Sequence, residues 1–289
     1  MGFRPGCGRP MSWGVFGSTP CNFLHPGVCQ KRTVHPRLER KSLRCWAVSR
    51  LWSSFISLLQ TPHPEVASFS AGYLQTCVVH AHGELACFGN DGSSQCDVPE
   101  SLGPVLAVSA GGSHTCAIKA DGRLFCLGCS RLVTRGRQHD SLDALGQVIA
   151  VSAGGDHTCA VQTSGYLVCF GYNAHGQCDV PKSLGPVLSV SAGDGFTCAI
   201  KIDGQLVCFG LIGSGRCDVP DSLGPVLTLS AGGDHTCAIK MDGQLVCFGS
   251  NRAGQCDVPD ELGPVLGVSA GGEHTCAITI DKQLVCFGE

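Results

Sequence analysis

Aromatic and charged side chains are both scarce: Trp, Tyr and Phe make up 6% of the 289 residues, and Asp, Glu, Lys and Arg 15%. Disordered chains are poor in apolar residues and strongly charged. With 43% apolar residues and a formal net charge of -3, this one can bury a core. No uninterrupted apolar run reaches the roughly 18 residues a membrane-spanning helix needs, which excludes such a span. A phosphate-binding Gly-rich loop ending in Gly-Lys and His-Glu-x-x-His are missing, and Gly-x-Ser-x-Gly occurs once, at residues 267–271. The commonest nucleotide and zinc-protease signatures are thereby removed, and the one Gly-x-Ser-x-Gly falls on a serine that is better explained by duplication than by catalysis.

Glycine and cysteine are abundant instead, at 40 and 21 residues. Many tight turns and small packed side chains follow, and an all-β architecture. Charge is split along the chain. Residues 1–64 hold nine bases and one acid, Glu39, whereas residues 65–289 hold 11 bases and 22 acids. The basic segment 1–64 is read as a flexible leader compatible with organelle targeting. It carries no apolar stretch after Met1 of the kind a secretory signal needs.

Ser-Ala-Gly recurs at Ser70, Ser109, Ser152, Ser191, Ser230 and Ser269, spaced 39, 43, 39, 39 and 39 residues apart. Such a period marks an array of supersecondary units, starting near residues 66, 105, 148, 187, 226 and 265. A typical unit contains an apolar run, a Gly pair, two short runs around Asp-Gly, a variable loop, and Cys-Asp-Val-Pro with a Leu-Gly-Pro link; the second unit loses the Cys-Asp-Val-Pro segment. Four short strands per unit predict a β-propeller of about six four-stranded blades over 65–289, incomplete or part of a seven-bladed ring. Gly and Pro recur too often in most units for paired helices.

A three-residue turn such as Met241-Asp242-Gly243, with Gly left-handed, sets Lys240 opposite Gln244 and hence Cys237 opposite Cys247. The same count opposes Cys77 and Cys87, Cys116 and Cys126, Cys159 and Cys169, Cys198 and Cys208, and Cys276 and Cys286. Directly opposed residues lie within disulfide reach, yet buried thiols fill the same space. A third set, Cys96, Cys178, Cys217 and Cys256, has no evident partner, which weighs toward thiols and against secretion. His235, Cys237 and Cys247 would give only three soft ligands where a closed zinc site wants four. Gln75 and Phe196 replace the His in two units. No metal and no cofactor is expected, and the His is read as bonding neighbouring backbone.

The stretches VSAGGSHTCAIKADGRLFCLG and GYNAHGQCDV resemble the regulator of chromosome condensation repeat family in their Gly-Gly-x-His-Thr segment, Asp-Gly hairpin, aromatic-Gly step and Gly-Gln turn. The resemblance covers residues 66–289. It departs at Phe88, Leu127, Phe170, Phe209, Phe248 and Phe287, where the family commonly has Trp. It implies a propeller with one of three roles: a protein-binding scaffold, alone or within a larger protein such as a HECT-type ubiquitin ligase; a chromatin-bound exchange factor for a small GTPase; or a disulfide-stabilised extracellular recognition domain. An acidic propeller argues against DNA. The expectation is a non-enzymatic scaffold with a protein partner and no small-molecule substrate, in cytoplasm or nucleus.

Strand alternation puts the links from first to second strand and the variable loops on one face. The expected partner-binding surface there is Tyr73, Asn90, Asp91, His114, Arg131, His157, Tyr172, Asn173, His175, Phe196, Leu211, Ile212, His235, Asn251, Arg252 and His274. Variable loops on a rigid frame are where binding usually resides.

Overall fold

The computed structural model describes residues 66–128, 142 and 144–289. The leader 1–64, Cys129 and the arginines at 131, 135 and 137 lie outside them. Six three-stranded antiparallel sheets follow one another, one per repeat, each ordered first, second, third strand. The first strands are Val66–Ala71, Val105–Ala110, Val148–Ala153, Val187–Ala192, Val226–Ala231 and Val265–Ala270. The second are Gln75–His80, His114–Lys119, His157–Gln162, Phe196–Lys201, His235–Lys240 and His274–Thr279. The third are Leu85–Gly89, Leu124–Gly128, Leu167–Gly171, Leu206–Gly210, Leu245–Gly249 and Leu284–Gly288. Among the described residues, no helix is long and apolar enough to cross a membrane.

Among the described residues, the fourth strand expected of each blade is not formed. Its Cys-Asp-Val-Pro segment is bent locally: the Cys178 and Cys256 amides donate to the side chains of Asn173 and Asn251 at 2.8 Å, and Val180 N–H donates to Cys178 O. Side-chain acceptors of this kind compete with a ladder for the same backbone donors.

Each hairpin closes as the sequence pattern requires. Lys240 N–H donates to Gln244 O and Gly243 N–H to Lys240 O, with Gly243 at φ 85°. Lys282 holds the equivalent position of the last unit at φ 62°, the left-handed region in which glycine is favoured. Pairs then alternate between bonded and non-bonded, so Cys237 faces Cys247 at a close, non-bonded position. A register shift near the start of every first strand sets one extra residue outward, leaving Leu106, Ile149, Leu188, Leu227 and Leu266 exposed.

Five apolar clusters occupy the five seams between consecutive sheets. The seam between the fourth and fifth units is representative. Phe196, Cys198, Ile200 and Leu206 of one sheet meet Leu223 of the link and Val226, Leu229 and Ala238 of the next. The alternation of a strand explains the pattern, because Cys198 and Ile200 point forward while Ala199 points back into the preceding seam. First strands touch one another across the seams: Ser70, Ser109, Ser152, Ser191 and Ser230 each accept the amide of the next unit's alanine at 2.9 to 3.0 Å.

Candidate functional site

The two kinds of loop do emerge together. In the first, third, fourth, fifth and sixth units the residue after the third strand bonds back to the unit's own first loop: Asn90 N–H donates to Leu74 O, Tyr172 to Asp156 O, Leu211 to Gly195 O, Ser250 to Asp234 O and Glu289 to Glu273 O. At the opposite end, the link to the next unit bonds the hairpin turn, as in Val226 N–H to Gly204 O. The first loops are stitched to each other along the inner rim. Gly112 N–H donates to Gly154 O, Gly155 to Gly193 O, Asp194 to Gly232 O and Gly233 to Gly271 O, at 2.9 to 3.2 Å. Backbones this close leave no room for a side chain; a Cβ on Gly111 would lie 2.5 Å from Gly154 O.

Four of the residues expected on this face are inside it. His114, His157, Phe196 and His235 are at most 1% exposed. The histidine ring crosses the seam, and at His114 a hydrogen bond to the backbone of His157 accompanies the threonine contact. His114 Nε2 lies 2.8 Å from Thr158 Oγ1, His157 Nε2 2.9 Å from Thr197 Oγ1 and His235 Nε2 2.8 Å from Thr275 Oγ1. Thr197 spends its own proton on Gln177 O and Thr275 on Gln255 O. At His157 and His235 Nε2 is therefore the donor and Nδ1 the bare nitrogen, and Nδ1 has no partner in any of the three. Burial pulls all three down from 6.5 to about 4, helped at His157 by the charge of His114 and at His235 by that of His274. Gln75 replaces the ring in the first unit, donating to Gly111 O and His114 O.

The six opposed cysteine pairs are disulfides, 77–87, 116–126, 159–169, 198–208, 237–247 and 276–286, with Cα atoms 4.0 to 4.1 Å apart. The leaning toward buried thiols is thus corrected: the turn puts both cysteines on one face at the narrow spacing. Cys96, Cys178, Cys217 and Cys256 are free. Each thiol donates to the carbonyl six residues before it. Burial raises all four, the last three to about 11, which leaves them protonated and unreactive. Among the described residues no group of three His, Cys, Asp or Glu is placed to hold a metal; His114, His157 and His235 are engaged with threonines and the opposed cysteines with each other.

Tyr73, Asn90, Asp91, Asn173, His175, Ile212, Asn251 and Arg252 are exposed, while Tyr172, Leu211 and His274 are half-buried. Arg131 lies outside the described residues. Asn173 and Asn251 also hold their loops, donating to Asp179 and Asp257. Buried Gln95, Gln177 and Gln255 brace the same loops by accepting from the amides of Ser93, His175 and Ala253. Tyr73 bridges the array. Its ring is half exposed, but its hydroxyl hydrogen-bonds Asp194 of the fourth unit, and burial of that tip, with the charges of Asp194, Asp156 and Asp234, pushes the phenol well above its ordinary value. Loops of the first, third, fourth and fifth units therefore converge on an acidic mouth. There Asp194 is raised by burial, then by Asp156 and Asp234.

The sequence reading missed Arg216. It occupies the place of the buried glutamine in the fourth unit, 5% exposed. It pairs with Asp234 at 2.7 Å, donates to Gly213 O and Asp194 O, and lies 5.7 Å over the Phe196 ring. The signal was a coincidence of exceptions, since the unit with Phe196 in place of the histidine also has Arg216 in place of the glutamine. Arg216→Gln alone should cost about 1–2 kcal/mol, because Asp234 and the ring lose their cover. Adding Phe196→His restores the ordinary pair, so the double variant should recover at least about 1 kcal/mol of that loss in urea unfolding. Strict additivity would show that the two exceptions are unrelated.

Residues 105–132, 148–177, 187–215, 226–255 and 265–289 match the family model of the regulator of chromosome condensation (RCC1) repeat. No curated protein matches the chain in sequence. Among solved structures, the receptor kinase CR4 ectodomain of Physcomitrella patens is 28% identical with TM-score 0.65. That match covers 78% of this chain and 64% of the ectodomain, so the chain spans less than two thirds of it. The ACR4 ectodomain of Arabidopsis thaliana is 22% identical with TM-score 0.62, covering 80% and 84%. Prp20p of Saccharomyces cerevisiae is 17% identical with TM-score 0.65, covering 77% and 72%. At such identities the last two are similar in fold alone.

Proposed function

The chain belongs to the regulator of chromosome condensation repeat family, and on that premise we propose that it is a non-enzymatic protein-recognition propeller whose partner docks on the loop face. The observation that carries this reading is the division of labour between the repeated and the varied residues. The repeated His, Thr, Cys and Gln are buried and engaged with one another across the seams, whereas the varied Tyr73, His175, Ile212 and Arg252 are exposed on one face. Residues bound up in seams have no reacting role to fill, and propellers of one fold serve unrelated partners through their loops.

The disulfides favour a particular setting. Six cross-strand bridges persist in oxidising compartments and are rare in cytosol and nucleus. The receptor ectodomain at 28% identity supports the same reading. We therefore favour a disulfide-stabilised recognition domain over the chromatin-bound exchange factor.

Variants on the two faces separate the possibilities. Ile212→Asp with Arg252→Glu alters the loop face, where Ile212 is 74% exposed; Ile202→Asp with Met241→Asp alters the hairpin face, at 66% and 64%. Phe196 cannot serve as a probe because it is buried. Affinity capture with quantitative mass spectrometry should lose a partner by tenfold or more, of order 1.4 kcal/mol or above, with the loop-face variant only. Loss confined to the hairpin-face variant would reject the proposed surface.

A further inference from the structure

The first loops repeat a Gly-Gly pair, and its second position is broken twice. Gly112, Gly155, Gly233 and Gly272 hold that position, whereas Tyr73 stands there in the first unit and Asp194 in the fourth. Glycine has a reason at this place. A Cβ on Gly112 would lie 2.4 Å from Gly155 O, and one on Gly233 3.1 Å from Gly272 O, so a side chain here meets the rim of the next unit. The two side chains that do occur meet each other: the Tyr73 hydroxyl donates to the Asp194 carboxylate. Gly155 of the third unit lies against that bond. A Cβ on it would overlap the Asp194 carboxylate and sit 3.6 Å from the Tyr73 hydroxyl. Both exceptions to the glycine rule, and a bare glycine in the array between them, thus build one contact.

In a repeat array each unit touches its neighbours. The rim backbone obeys this: Tyr73 N–H donates to Gly111 O, Gly112 to Gly154 O, Gly155 to Gly193 O and Asp194 to Gly232 O, each one unit on. The serine bonds between first strands do the same. The Tyr73–Asp194 bond instead skips the second and third units. It spans three seams at their loop ends. The hairpin ends of those seams are held separately, by Val105 N–H to Gly83 O, Val148 to Gly122 O and Val187 to Gly165 O. Opening any of the three seams at the rim therefore stretches the same bond.

We propose that Tyr73 and Asp194 form a strap across the mouth of the loop face, which couples the first four units and fixes the curvature of the array there. Without it, the three seams hinge on their hairpin ends and open independently at the rim. With it, the loops of the first and fourth units keep a set separation, so the surface they form is held in one shape before anything docks. The half-exposed Tyr73 ring follows too, because its tip is anchored while its face stays open. The strap belongs to the unliganded chain, and it stands or falls independently of which face a partner uses.

Amide hydrogen exchange of the full, oxidised chain, followed residue by residue by nuclear magnetic resonance, tests it. Tyr73→Phe removes only the hydroxyl. The rim amides of residue 73, Gly112 and Gly155 should then exchange about fivefold faster, the change in local opening expected for one lost hydrogen bond. The hairpin-end amides of Val105, Val148 and Val187 should keep their rates. Asp194→Ala should speed the same rim amides to the same degree, whereas Asp194→Asn keeps an acceptor and should retain most of the protection. Combining Tyr73→Phe with Asp194→Ala should add nothing to either change alone. Equal rim exchange in the native chain and Tyr73→Phe would overturn the proposal. So would additive effects of the two changes, or a rise at rim and hairpin ends alike, which would make the pair a source of general stability instead of a strap.

Discussion

Reduction of the six disulfides should unfold the chain under conditions in which the oxidised form is stable. Each bridge closes a loop of sequence separation 10. The chain-entropy account gives about 2–3 kcal/mol for a loop of that size. Six together rival the whole net stability of a typical domain, about 5–15 kcal/mol. The three-stranded sheets make the dependence sharper, since each must hold its shape without a fourth strand. Thermal unfolding with and without a phosphine reductant measures the effect. Removing one inner bridge by Cys198→Ala with Cys208→Ala should lower the midpoint by about 5–10 °C. Removing Cys276–Cys286 should cost less, because its sheet has a seam on one side only and Cys276 is 8% exposed where the five before it are at 0%. Identical midpoints in both redox states would show that packing alone holds the blades.

Acid should destabilise the fold well above the pH at which its carboxylates titrate. His114, His157 and His235 sit at about 4 in the folded chain against 6.5 when exposed. The unfolded chain binds three more protons than the folded one between those values, so stability is full above about pH 6.5 and falls as pH drops toward 4. Each histidine contributes on the order of 2–3 kcal/mol to that fall. Phe196 shows that a phenyl ring fits the same place. His157→Phe should therefore remove about a third of the slope between pH 6.5 and 5 while costing little at pH 7.5. Urea midpoints across that range give the test. An unchanged slope would mean that the histidines are not the titrating groups.

Much of the scaffold was legible because its signals are local. Ser-Ala-Gly at a period of about 39 fixes the units, and the three-residue turn, with Gly last in all but the sixth unit, fixes each hairpin and with it the facing of Cys237 and Cys247. What stayed hidden depends on residues distant in sequence. His157 looked like a loop-facing residue because it starts its strand at the loop end. Its direction is set by Thr197, 40 residues on. Opposed cysteines fit thiols and disulfides equally on a residue count, and only the bond between their sulfurs in the structure separates the two. Cys-Asp-Val-Pro has the composition of a short strand, but Asn173 and Asn251 take its donors first. The exposed leucine of each first strand is misplaced by simple alternation, since a bulge turns it outward. On the binding face, exposure at Tyr73 and Ile212 was readable from their variation among units, whereas the acidic mouth required four loops to be brought together.

The account holds that the repeated His and Cys residues bind the blades together and so leave recognition to the loops. Alkylation of the denatured, unreduced protein, mapped by mass spectrometry, tests this most directly. Cys96, Cys178, Cys217 and Cys256 should be labelled, and peptides containing 77 and 87, 116 and 126, 159 and 169, 198 and 208, 237 and 247, and 276 and 286 should be recovered as linked pairs. Quantitative labelling of those twelve cysteines would contradict it, and would return the chain to a reducing compartment.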